Sequence, residues 1–454
     1  MSILIKNCDW IVTQNSSRNV IKNSSVYIED RRIVEINKKI NCEAEYVIDG
    51  NGKILLPGLI NTHTHIPMSL LRGYADDMAL HEWLRNKIWP TEAKLTGDLC
   101  YKGALLGCLE MVKSGTTCFL DMYFFMENVA KAVNEAGLRA FLCYAMIDLF
   151  DLKKIDKQLE TSKKLSSFIK TLGNERIKFV VGPHAPYTCS KETLLKAVEI
   201  AEKENSLIHI HIAETRNEQV EFENKYGLRE IEYLNKIGFL NPRIVAAHCV
   251  WLTKNEIKIL KEKGVKVSHC PVSNMKLGVG GAAPLPEMLE HEITVSLGTD
   301  GPASNNCLDM FDTMKFCALV HKSQRWDPTM LPAQKVLDLA TIEGAKALMM
   351  DKEIGSIEEG KKADLILIDT KAPNMMPIHG KDTIVSNLVY SAKGFNVNTT
   401  IVNGEILMHN KEVKTLNEND VYEKAQEAAF TLINNPSKFL KGAFVKNFIK
   451  LFFK

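Results

Sequence analysis

Between Pro57 and Gly360 the sequence alternates short apolar runs with helix-length segments, and this rhythm narrows the folds open to the chain. Eight strand candidates can be read, at residues 54–65, 116–122, 139–147, 177–184, 207–212, 243–249, 265–270 and 294–299. Helix-length stretches such as 98–113 and 191–204 lie between them. Strands written as continuous apolar runs belong to a parallel sheet covered on both faces. Eight such units over roughly 300 residues predict an α/β fold, a (β/α)8 TIM-type barrel. An open doubly wound sheet is the alternative.

A parallel barrel gathers its chemistry at the C-terminal ends of its strands. Here those ends carry His63, His65, His184, His211, His248, His269 and Asp300. His63 and His65 stand two residues apart, so in an extended strand both imidazoles aim at one face. Together with His211 and Asp300 they supply three imidazoles and a carboxylate, a set that suits one zinc ion, with iron as the alternative. A bound divalent ion lowers the pKa of its water to about 7. Glu214, three residues past His211, is placed to take that proton and give one to a ring nitrogen of a heterocycle. His248 is placed to hydrogen-bond the attacking oxygen. His209 shares the strand face of His211 but lies deeper, and reads as a packed barrel histidine.

The flanks have another texture. Residues 2–49 hold short β-rich pieces divided by polar turns, and similar pieces return at 363–369 and 400–407. Both ends are therefore expected to join into one small antiparallel β-sandwich domain. The expected division is residues 1–56 and 361–412 for that domain, 57–360 for the barrel, and 413–454 for a C-terminal helical tail. The tail from Pro436 carries lysines among apolar residues at helical spacing, without an acid. It reads as a terminal helix packed on the barrel or on a second subunit, with contact to an anionic membrane surface as the weaker alternative.

Charge and cysteine content exclude several classes of function. Lys and Arg total 57 against 55 for Asp and Glu, a net charge of +2, so nucleic-acid binding driven by bulk charge is not expected. No apolar run is long enough for a membrane span, and no secretory pattern stands at Met1. The eleven cysteines lie singly, as in a reduced, cytoplasmic protein.

Eight stretches carry a family resemblance: Pro-Gly-Leu-Ile-Asn-Thr-His63-Thr-His65, Leu-Leu-Arg-Gly-Tyr-Ala-Asp-Asp77, Trp89-Pro-Thr-Glu92, Gly-Pro-His184-Ala-Pro-Tyr187, His211-Ile-Ala-Glu214, Ala-His248-Cys249, Ser-His-Cys-Pro-Val-Ser-Asn274 and Gly-Thr-Asp300-Gly-Pro-Ala-Ser-Asn305. The chain resembles the amidohydrolase superfamily, and within it the 5-methylthioadenosine/S-adenosylhomocysteine deaminases. The resemblance implies a single zinc or iron ion per subunit at His63, His65, His211 and Asp300. It also implies catalysis by Glu214, His248 and Asp300, and substrate binding by Glu92 (to ribose hydroxyls), His184, Glu214 and Asp300. The implied reaction is hydrolytic deamination of an adenosine-type nucleoside: 5-methylthioadenosine, S-adenosylhomocysteine or adenosine. An aminohydrolase or chlorohydrolase acting on guanine or an s-triazine is the alternative. Relatives are often homo-oligomers, which is the expectation here. One departure stands out. The end of the third strand lacks the arginine that relatives use for a substrate's distal carboxylate, so substrates without a carboxylate fit better.

Overall fold

The computed structural model describes residues 1–78, 80–280 and 282–434. The basic stretch from Pro436 to Lys454 lies outside the described residues.

The barrel strands are β1 (Leu59–Thr64), β2 (Thr116–Tyr123), β3 (Arg139–Met146), β4 (Ile177–Phe179 and Gly182–Pro183), β5 (Ile208–Ile212), β6 (Ile244–His248), β7 (Lys266–His269) and β8 (Val295–Leu297). Neighbours pair in parallel in that order, in two runs, β1 to β4 and β5 to β8. The runs join where Val181 bridges Ile208 and where the His211 amide donates to the His184 carbonyl at 3.0 Å. The far seam closes where the Asp300 amide donates to the His63 carbonyl, also at 3.0 Å. The expected (β/α)8 barrel is borne out.

The connecting helices are set by ordinary end signals. Thr96, Ser190, Thr215 and Thr253 cap the helices that follow by accepting a backbone N–H three residues on. Gly115 and Gly137 end their helices in the left-handed conformation, which a residue without Cβ adopts freely.

The expected single strand over 54–65 is two strands in different sheets. Lys53–Pro57 belongs to the small unit and β1 to the barrel. The chain turns between them at Pro57-Gly58, where Gly58 is packed against Thr117. Nine strands drawn from both chain ends form one sheet, whose halves meet where Lys53–Pro57 runs antiparallel to Leu365–Asp369. The sheet is mixed rather than wholly antiparallel: Ser2–Val12 runs parallel to both Tyr46–Asp49 and Lys53–Pro57. Ile3, Ile5, Ile28, Leu55, Leu365 and Leu367 form part of a core of its own. Beyond it, the helix Glu418–Asn434 packs on the helix Gly97–Ser114, with Lys113 paired to Glu418 at 2.6 Å.

Candidate active site

The barrel mouth holds a cavity of about 330 Å³ whose lining includes His65, Glu92, His184, His211, Glu214, His248 and Asp300. His63 lies just beneath, fully buried. The metal, acid–base and substrate candidates read from the sequence therefore meet in one place, whereas His269, also at a strand end, pairs with His321 at 3.1 Å and does not line the cavity.

Each of three imidazoles is held through Nδ1 and presents Nε2. His65 Nδ1 lies 2.5 Å from the Met122 carbonyl, and His211 Nδ1 lies 2.7 Å from the His184 carbonyl. A carbonyl only accepts, so these nitrogens carry the ring protons and the Nε2 atoms are bare. His63 Nδ1 sits 2.7 Å from His209 Nε2, and the His63 Nε2 atom has no hydrogen-bond partner. His65 Nε2 is 3.3 Å from His211 Nε2, and both His63 Nε2 and His65 Nε2 are 3.3 Å from Asp300 Oδ1. Acceptors crowded together without protons repel one another unless a cation lies among them. Ligands about 2.0–2.1 Å from a tetrahedral ion stand about 3.3 Å apart. The donor set therefore fits a divalent metal in both chemistry and spacing.

Protonation is a poor substitute for that cation. Burial drives the His63 pKa down to about 4 and holds those of His65 and His211 below the usual imidazole range. Burial pushes the Asp300 carboxyl upward, but His63, His65 and His248 outweigh it and leave the group well below the carboxylate range. Asp300 is also tethered: Ser273 and Ser304 donate to Oδ2 at 2.5 and 2.9 Å, and the Gly301 amide donates to Oδ1 at 2.7 Å.

Around this centre stand the remaining polar groups. Glu214 Oε2 is 3.7 Å from His248 Nε2, and His248 Nδ1 is 3.0 Å from Asn274 Oδ1. Burial, followed by the nearby Asp300 charge, raises the Glu214 pKa to about 8. His184 Nδ1 is 2.9 Å from the Thr188 hydroxyl. Glu92 accepts from the Tyr123 hydroxyl at 2.7 Å, and burial lifts its pKa to about 7. Ala213, His248, Cys249 and Asp300 all adopt positive φ, between 50° and 70°. Such backbone is costly for non-glycine residues and gathers at sites where side chains must be aimed.

Sequence reasoning missed several supports. Ser273, Asn274 and Ser304 lie inside stretches it quoted, one or a few residues from a named group, so their motifs offered a signal. Tyr123 offered none. At the end of β3 the cavity wall is Tyr144 and Ile147, as the missing arginine suggested, yet Arg85 lines the same cavity from the turn Leu84–Ile88.

A closed parallel barrel with bare imidazole nitrogens and a tethered carboxylate at its mouth has the build of a metal-dependent hydrolase. The chain belongs to the amidohydrolase family, whose model matches residues 54–407. It is 48% identical over 431 residues to the 5'-deoxyadenosine deaminase of Methanosarcina mazei, covering 95% of this chain and 98% of that one. It is also 48% identical to the 5-methylthioadenosine/S-adenosylhomocysteine deaminase of Thermococcus sibiricus, over 90% of this chain and 94% of the relative. Among solved structures, an adenosine deaminase from Xanthomonas campestris with bound zinc superposes with a TM-score of 0.89 at 31% identity, covering 95% and 98% of the two chains. The resemblance read from the motifs is borne out.

Proposed function

We propose that this protein is a zinc-dependent deaminase that hydrolyses the 6-amino group from an adenosine-type nucleoside, giving the inosine analogue and ammonia. The observation that carries the reading is the cluster of three bare imidazole nitrogens and Asp300 Oδ1, in which His65 stands 3.3 Å from both His211 and Asp300 and His63 stands 3.3 Å from Asp300, beside a buried glutamate. His63, His65, His211 and Asp300 would hold one zinc per chain. When bound, the ion acidifies a water and so supplies the nucleophile at neutral pH.

The other roles follow from the residues' own chemistry. Glu214, with its raised pKa, takes a proton from the nucleophile and delivers one to the ring nitrogen next to C6. His248 hydrogen-bonds the attacking oxygen, and Asp300 takes the remaining proton from that oxygen and passes it to the amino group, which leaves as ammonia. His184 contacts the base. Glu92, steadied by Tyr123, accepts the two ribose hydroxyls, since each carboxylate oxygen can take one hydrogen.

The distal wall sets the finer substrate. Leu84, Ile88, Phe125, Tyr144 and Ile147 make it largely apolar, which suits 5'-deoxyadenosine or 5-methylthioadenosine better than a substrate ending in a carboxylate. The two deaminase-named relatives at 48% identity support the same class. All eleven cysteines are unpaired, which supports a reducing, cytoplasmic setting, and among the described residues no helix is long and apolar enough to cross a membrane.

Ammonia release from zinc-loaded protein tests the reading. 5'-Deoxyadenosine and 5-methylthioadenosine are expected to give the highest kcat/KM, with S-adenosylhomocysteine below them. Turnover of guanine or an s-triazine alone would overturn the nucleoside assignment. A preference for S-adenosylhomocysteine that Arg85→Ala abolishes would overturn the apolar-wall argument only.

A further inference from the structure

We infer that His209 is a positioning residue for the metal centre: it fixes the tautomer of His63 and so keeps the His63 Nε2 lone pair available to the ion. The inference rests on the reading of His63 as a zinc ligand. From the sequence His209 was expected to be a packed barrel histidine, and its hydrogen bonds give it a more specific task.

His209 and His211 share one face of β5, where His209 lies a layer deeper and is fully buried. His209 Nδ1 stands 2.8 Å from the carbonyl of Val245, its register partner on β6. Because that carbonyl can only accept, Nδ1 carries the proton, and in the neutral ring Nε2 is then an acceptor. The same Nε2 lies 2.7 Å from His63 Nδ1, across the barrel interior on β1. The proton between the two rings therefore belongs to His63 Nδ1, and His63 Nε2 is bare.

The three imidazoles are not held in the same way. His65 and His211 are locked by backbone carbonyls, which no side-chain substitution removes. His63 is locked by a side chain alone. Without an acceptor at position 209, a proton on His63 Nδ1 would be buried and unpaired, which is costly. Moving that proton to Nε2 relieves the cost, because the Asp300 carboxylate, with Oδ1 3.3 Å from Nε2, attracts a proton there. His63 would then face the site with an N–H instead of a lone pair and could not ligate. A purely space-filling residue would have no need for two polar atoms, each with a partner of its own.

Zinc binding to the metal-free full-length chain, measured by competition with a chromophoric chelator, separates the two roles. His209→Leu fills the space but offers no acceptor, and is expected to weaken zinc binding by about 10–100-fold, the usual effect of removing a ligand's hydrogen-bond partner. His209→Gln restores an acceptor near Nε2 and is expected to bind within a few-fold of wild type. Thermal unfolding of the metal-free variants checks that both fold. Should the leucine variant fail to fold, His209→Asn, which can reach Val245 but not His63, is expected to show the same loss of affinity. Wild-type affinity in the leucine or asparagine variant, or equal losses in the leucine and glutamine variants, would overturn the role of His209 and leave the zinc site standing. A wild-type chain that takes up no zinc would overturn both.

Discussion

Glu214 is the side chain on which the chemistry turns. Its burial makes protonation easy near neutral pH, which is what a group that must both accept and give a proton requires. Glu214→Gln keeps the shape but not the proton exchange. It should bind zinc normally and lose about 10²–10⁴ in kcat, with metal content and steady-state turnover as the paired readouts. Glu92 has a measurable signature in stability. Its pKa is about 7 in the folded chain against an ordinary 4.5, so folding takes up a proton between those values. The associated penalty is absent below the ordinary value, grows as pH rises toward about 7, and is constant above. Metal-free wild type should therefore lose stability relative to Glu92→Gln across that window, seen as a changing gap between their urea midpoints. At this scale the sequence was most legible where one residue type has few other uses. Histidines at strand ends announce themselves, whereas Ser273, Ser304 and Tyr123 are ordinary residues whose value comes from the neighbour they touch.

The elements carry the site because they are pinned to one another. Arg139 opens β3 and reaches out of the barrel to Asp364, with Nε 2.8 Å from one carboxylate oxygen and a terminal nitrogen 3.0 Å from the other, all but fully buried. Breaking such a pair from one side leaves a buried charge without compensation. Arg139→Met is expected to lower stability by about 3–5 kcal/mol in chemical denaturation, and Arg139→Met with Asp364→Leu should recover much of that loss. Gly58 marks the seam between the two sheets. A Cβ there would lie 2.0 Å from the Thr117 hydroxyl oxygen, so Gly58→Ala should destabilise by about 1–3 kcal/mol in the same assay. The helices were legible because their caps are local, such as Thr96 at a start and Gly115 at an end. The run over 54–65 was misread as one strand because a continuous apolar stretch looks the same in either sheet. Only Pro57-Gly58 hinted at the division, and pairing partners three hundred residues away decide it.

For the whole molecule, the barrel could be read from the alternation of eight units, but the contacts that close it could not. Closure depends on contacts such as Asp300 to His63, between residues at opposite ends of the barrel sequence. The same contact brings the carboxylate to the imidazoles, so folding of the barrel and assembly of the metal centre are one event. Zinc should accordingly stabilise the native chain, by about 4 kcal/mol at a thousandfold excess over Kd, and chelation should lower Tm. The most direct measurement is ammonia release from 5'-deoxyadenosine as metal-free protein is titrated with zinc. Activity should rise in proportion to added metal and level off at one equivalent per chain. Equal turnover by the chelated protein, or a rise that continues to a second equivalent, would contradict a single zinc at His63, His65, His211 and Asp300.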